Sequence, residues 1–76
     1  MNMQRRKAIA IIRGELETLN DRIRELMEEE QEAFDNMPES LQESERGQAL
    51  QSAIDSLGYA ADELEAALEN LDAAGE

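Results

Sequence analysis

The chain has 76 residues, with 19 Asp and Glu against 7 Lys and Arg, and a formal net charge of -12. It has no Cys, no His and no Trp, one Phe and one Tyr, and 41% apolar residues. These figures exclude a second domain, a disulfide framework, zinc sites built on Cys or His, and Ser–His or Cys–His nucleophile pairs. No run approaches the roughly 18 apolar residues of a membrane span, and the N-terminus lacks a signal-peptide core. The cytoplasm is the expected location, with no membrane partner.

High charge with few aromatics is one mark of disorder. A 3.5-residue rhythm of Leu, Ile and Ala is the mark of long helices, so periodicity decides between them. From Ile9 the apolar residues fall at Ile9, Ile12, Leu16, Leu19, Ile23 and Leu26, in steps of 3 and 4. This is a heptad seam, with Ile9, Leu16 and Ile23 at a and Ile12, Leu19 and Leu26 at d. Glu30 takes the next a position and Ala33 the next d. Near the end the stripe drifts toward Met27, Phe34 and Met37. The spacing predicts one helix over 3–36, about 50 Å long at 1.5 Å per residue.

Asn36-Met37-Pro38-Glu39-Ser40 ends it, because Pro38 lacks an amide hydrogen and disfavours helix at Met37. Residues 37–43 form the connection. Pro38 to Gln42 suits a short helix, whose one apolar residue, Leu41, is expected to fold over Phe34 and Met37. The second long helix spans 44–74, with Ser44 as N-cap and Glu45 favourable in the first turn. Ser40 is a rival start, since Ser40-x-x-Glu43 fits a capping box. The second seam runs Leu50, Ile54, Leu57, Ala61, Leu64, Leu68, Leu71. Beside it lies Ala53, Ala60, Ala67, Ala74, one per heptad.

Two long helices with a short connection pack antiparallel. Residues 1–14 hold four basic side chains and no acid, residues 15–45 carry -10, and residues 46–76 carry -6. The basic start would therefore lie beside the acidic end. A lone hairpin has almost no interior, and no disulfide or metal can supplement it. The expected fold is all-α: an antiparallel helical hairpin assembling as a dimer or tetramer into a four-helix bundle or larger homo-oligomer.

Candidate sites are few. Glu30 interrupts the seam, either as a polar contact in the core or because the seam has moved aside and left it in water. Glu28-Glu29-Glu30-Gln31-Glu32 radiates from the helix as a solvated acidic face, and no His is present to complete a di-iron motif. Ser44-Glu45-Arg46-Gly47 opens a helix, where free amide hydrogens and positive potential suit anions. Arg46 adds a bidentate donor, and Gly47 would let a ligand approach the backbone. Asn36, Ser40 and Gln42 lie nearby in sequence. The plainer reading is ordinary capping, with Arg46 reaching Asp35 or Glu39. Arg5, Arg6 and Lys7, with Arg13, form the one basic patch. It suits a phosphorylated ligand or pairing across the hairpin, and the overall charge opposes duplex nucleic acid. Tyr59, at an outer position, could stack on a base or pack at an oligomer interface. No two groups are placed for acid–base chemistry, and neither an enzyme nor a cofactor is expected.

The stretch Glu28 to Gly47, EEEQEAFDNMPESLQESERG, together with the Arg-Arg-Lys start and Ala-Ile-Asp-Ser-Leu of the second helix, resembles small acidic helical-hairpin proteins of phages and prophages. The specific part is the connection from Phe34 to Gly47, and no function is securely attached to the group. Gly58-Tyr59-Ala60 departs from its plain heptad continuation. The resemblance implies a non-enzymatic, oligomeric accessory protein in the bacterial host cytoplasm, of a kind that often blocks defence. Three roles follow. The leading one is a sponge sequestering a nucleotide immune signal at Arg46, Gly47, Ser44, Arg5, Arg6, Asn36 and Tyr59. Another is an acidic inhibitor or DNA mimic directed at a basic host protein. The last is a structural adaptor.

Overall fold

The computed structural model describes residues 2–76, and every element in it is helical. Helix α1 spans Met3–Asp35, α2 spans Glu39–Gln42 and α3 spans Glu45–Ala74. The molecule measures 58 × 14 × 12 Å. Among the described residues no helix is long and apolar enough to cross a membrane.

Local chemistry sets the helix limits. Asn2 caps α1, its side-chain oxygen accepting from the Arg5 amide at 2.8 Å, which satisfies one of the donors a helix start leaves free. At the other end the Asn36 amide donates to Glu32 and the Met37 amide to Phe34. Pro38 then ends the run and stands as the N-cap of α2, whose body begins at Glu39, one residue later than expected. Ser44, and not Ser40, caps α3, accepting from the Gly47 amide at 3.4 Å.

Helices α1 and α3 lie side by side with opposed directions. Arg13 meets Asp72, Arg24 meets Glu65, and Met27 Sδ lies over Gly58. On α3 the inward row is the one the spacing predicts, from Leu50 to Leu71, with Ala61 the most enclosed at 1% exposure. On α1 the structure corrects the seam. The a row of Ile9, Leu16 and Ile23 is turned inward, and Glu30 and Met37 continue it. The second inward row is Arg13, Asn20, Met27 and Phe34, and not Ile12, Leu19 and Leu26. Those three remain 49%, 46% and 51% exposed.

The physical reason for the rotation lies on the side of α3 that this row meets. Met27 packs over Gly58, and Glu65 and Asp72 stand where Arg24 and Arg13 can reach them. Turning α1 by one heptad position gains those contacts and leaves a row of Ile and Leu outside. The drift toward Met27 and Phe34 thus extends along the whole of α1.

Asn20 is the most buried residue of α1, at 6% exposure, and its Oδ1 is the one buried side-chain polar atom without a partner among the described residues. An unsatisfied buried carbonyl costs about 1–3 kcal/mol, and Ala is the better helix former by a few tenths of a kcal/mol. Asn20→Ala is therefore expected to stabilise the fold by about 1 kcal/mol. In a chain of this size that raises the melting temperature by roughly 4–8 °C, as a thermal melt followed by circular dichroism would record.

Candidate functional site

The two flanks of the α1–α3 pair differ in kind. One flank is ionic. Arg24 Nη2 sits 2.9 Å from Glu65 Oε1, and Arg13 bonds Asp72 through Nε and, at 3.3 Å, through Nη2. Arg13 also holds Glu17 at 2.6 Å, one turn along its own helix. These hydrogen bonds, to Asp72 first and then to Glu17, raise the Arg13 pKa above its ordinary value and keep the guanidinium charged. At the same end Arg6 Nη2 donates to the main-chain oxygen of Glu76 at 3.2 Å. The basic start of α1 thus meets the acidic end of α3, as the charge distribution suggests. The pairs are exposed, so each contributes on the order of 0–1 kcal/mol. They act more on register than on stability.

The other flank is apolar. Ile12, Leu19, Leu26 and Ala33 recur every seven residues on α1, and Ala53, Ala60, Ala67 and Ala74 do so on α3. At the connection end the two rows border one groove, lined by Glu30, Ala33, Met37, Arg46, Ala49, Leu50 and Ala53. Glu30 is half-buried there, between the two expectations for it. Arg46 is exposed and makes no ion pair, with Asp35, Glu39 or any other described residue.

The remaining candidates are taken up by folding. Gly47 is buried, and a Cβ on it would collide with the carbonyl oxygens of Gln42 and Leu41 and lie 2.6 Å from the Gln42 carbonyl carbon. The space a ligand would need holds the end of α2, so this glycine serves close backbone packing. Ser44 Oγ donates to the Leu41 carbonyl while accepting from Gly47. Leu41, expected to close the end of the core, is 43% exposed. Gln42 does this instead, its Nε2 donating to the Phe34 carbonyl at 2.9 Å. Asn36 is the exposed C-cap of α1, and Tyr59 is 68% exposed on the outside of α3. Arg5 is exposed and lies in the same seven-residue row as Ile12.

The structure therefore brings Arg46 to the groove and leaves Arg5, Arg6 and Tyr59 away from it. Arg6 and Arg13 line a depression at the terminal end with Asp72 and Glu76, and Glu25, Glu28, Glu29, Gln31 and Glu32 border another on α1. Among the described residues no group of acidic side chains is arranged to hold a metal ion. Asn20 is the participant that sequence reasoning missed, and Gln42, expected near the ligand, bonds the end of α1 instead. For Asn20 the available signal is the seven-residue row Arg13, Asn20, Met27, Phe34. Comparison of the chain with protein-family models, curated proteins and solved structures gives no match.

Proposed function

We propose that this chain is a non-enzymatic binding protein, a helical hairpin that works as a self-associated bundle and presents a dense acidic surface to a basic partner. The observation that carries the reading is the unpartnered row of Ile12, Leu19 and Leu26 beside an alanine row. The accessible surface is 5736 Å², whereas a compact protein of this mass exposes about 4,650 Å². The excess of about 1,100 Å² per chain compares with the roughly 800 Å² that each partner buries in a standard interface. A second copy on the apolar flank removes that excess and gives the alanines a surface to pack against.

Leu19→Asp tests the assembly. Light scattering should report a particle of about twice the 8.5 kDa chain mass for the parent, and loss of that particle for the variant, because an unpaired carboxylate in a closed apolar face costs several kcal/mol. A parent that stays at 8.5 kDa at high concentration would end the proposal.

Charge density supports the acidic partner surface. Two chains carry -24, twice the -12 of one, over a 58 Å length. That is one charge per 2.4 Å, against about 1.7 Å along duplex DNA. The immobilised protein should retain basic proteins from a bacterial lysate at low salt, release them as salt rises, and lose them to competing duplex DNA. Retention of nothing, or retention insensitive to salt, counts against this role.

One observation favours a second reading, capture of a nucleotide signal. Arg46 is an unpaired guanidinium beside an apolar groove, a combination suited to a phosphate with an attached base. A nucleotide that binds there raises the melting temperature with concentration, and Arg46→Ala should abolish that rise while leaving the unliganded melt unchanged. A nucleotide panel producing no thermal shift removes this reading.

A further inference from the structure

We infer that the second copy covering the apolar flank lies head to tail, its connection end against the terminal end of the first. This rests on the self-association proposed above and adds the arrangement. The flank is not uniform along its length. Toward the termini it carries the large side chains Ile12 and Leu19, 49% and 46% exposed. Beyond Leu26, toward the connection, the two rows continue as Ala33 and Ala53, and there a groove opens with Ala49 between them and Met37 and Leu50 at its floor. A two-fold interface sets each feature of one chain against a different feature of its twin. Head to tail, with α1 on the partner's α1, Ile12 enters the partner's alanine groove and Leu19 meets the partner's Leu26. The two alanine rows then face each other along α3, where the absence of bulk lets the helices approach closely.

Charge points the same way. The terminal half, residues 1–19 and 60–76, holds 4 basic and 8 acidic residues, a net -4. The connection half, residues 20–59, holds 3 basic and 11 acidic, a net -8. Connections side by side would put -8 on -8 and set an empty groove against an empty groove. That arrangement also opposes Arg22 to the partner's Glu63, a small gain for an exposed pair, and Leu19 and Leu26 to its Ala67 and Ala60, but it leaves the groove unfilled. Head to tail puts -8 against -4, and the same register brings Arg5, exposed and without an ion pair among the described residues, level with the partner's Ser40, beside its Glu39.

The chain has no cysteine, so Ser40→Cys creates a single labelling site on exposed α2. Spin labels there should report a separation approaching the 58 Å length of the molecule. A separation below about 25 Å, two helix diameters, would overturn the arrangement and leave self-association standing. A labelled chain that light scattering finds monomeric, like its parent, would overturn both. Mixed Ile12→Cys and Ala33→Cys chains should yield a disulfide-linked pair on oxidation that neither yields alone. Its absence from a mixture shown to be dimeric would remove Ile12 from the groove.

Discussion

Leu57→Asp should abolish the cooperative helical melt. Leu57 stands mid-way along the inward row of α3, half-buried against α1. The substitution removes about 1.5–3 kcal/mol of apolar burial and adds a carboxylate where the facing surface is hydrophobic, a further cost of a few kcal/mol. A chain of 76 residues has about 4–11 kcal/mol of stability in all, at roughly 0.05–0.15 kcal/mol per residue. Ellipticity at 222 nm and its temperature dependence would report the loss. Tyr59→Asp is the control. It adds the same charge two residues away, at a position 68% exposed, and should leave the melt within about 0.5 kcal/mol of the parent. If Leu57→Asp melted like the control, α1 would not be packed on that row.

Gly47→Ala is the second large effect, and its cause is backbone against backbone. The new methyl would overlap the Gln42 and Leu41 carbonyls, which cannot swing aside as a flexible side chain can. Either α2 moves off α3 or the first turn of α3 distorts. Both routes loosen the Gln42 bond to Phe34 and the Ser44 cap. A loss of more than about 2 kcal/mol is expected, although alanine is intrinsically the better helix residue by about 1 kcal/mol. Gly14→Ala separates the two effects. A Cβ at Gly14 meets nothing within 4 Å, so that variant expresses propensity alone. Equal melting temperatures for the two variants would show that the close approach at Gly47 is absent in solution.

Much of the architecture was legible in the residues. Regular 3 and 4 steps on both helices, Pro38 and the Ser44 cap place the elements within a residue or two of those observed. The face α1 turns to α3 was not legible, because Ile12, Leu19 and Leu26 and the row Arg13, Asn20, Met27, Phe34 flank the same a positions. Hydrophobicity favours the first row. The partner helix offers Glu65 and Asp72 to the second, and that choice exists only once two helices are opposed. Gly47 illustrates the same limit at the site. A glycine in the first turn signals close approach, but the sequence does not say whether a ligand or the chain's own carbonyls make it.

The contrast between the two flanks makes this molecule unusually responsive to its ionic surroundings. Electrolyte weakens the exposed Arg13 and Arg24 pairs, but these contribute little. It also relieves the mutual repulsion of 19 carboxylates, a larger sum, and leaves the apolar packing of α1 on α3 untouched. Dilute buffer is then the harshest solvent for this chain, and added salt holds it together.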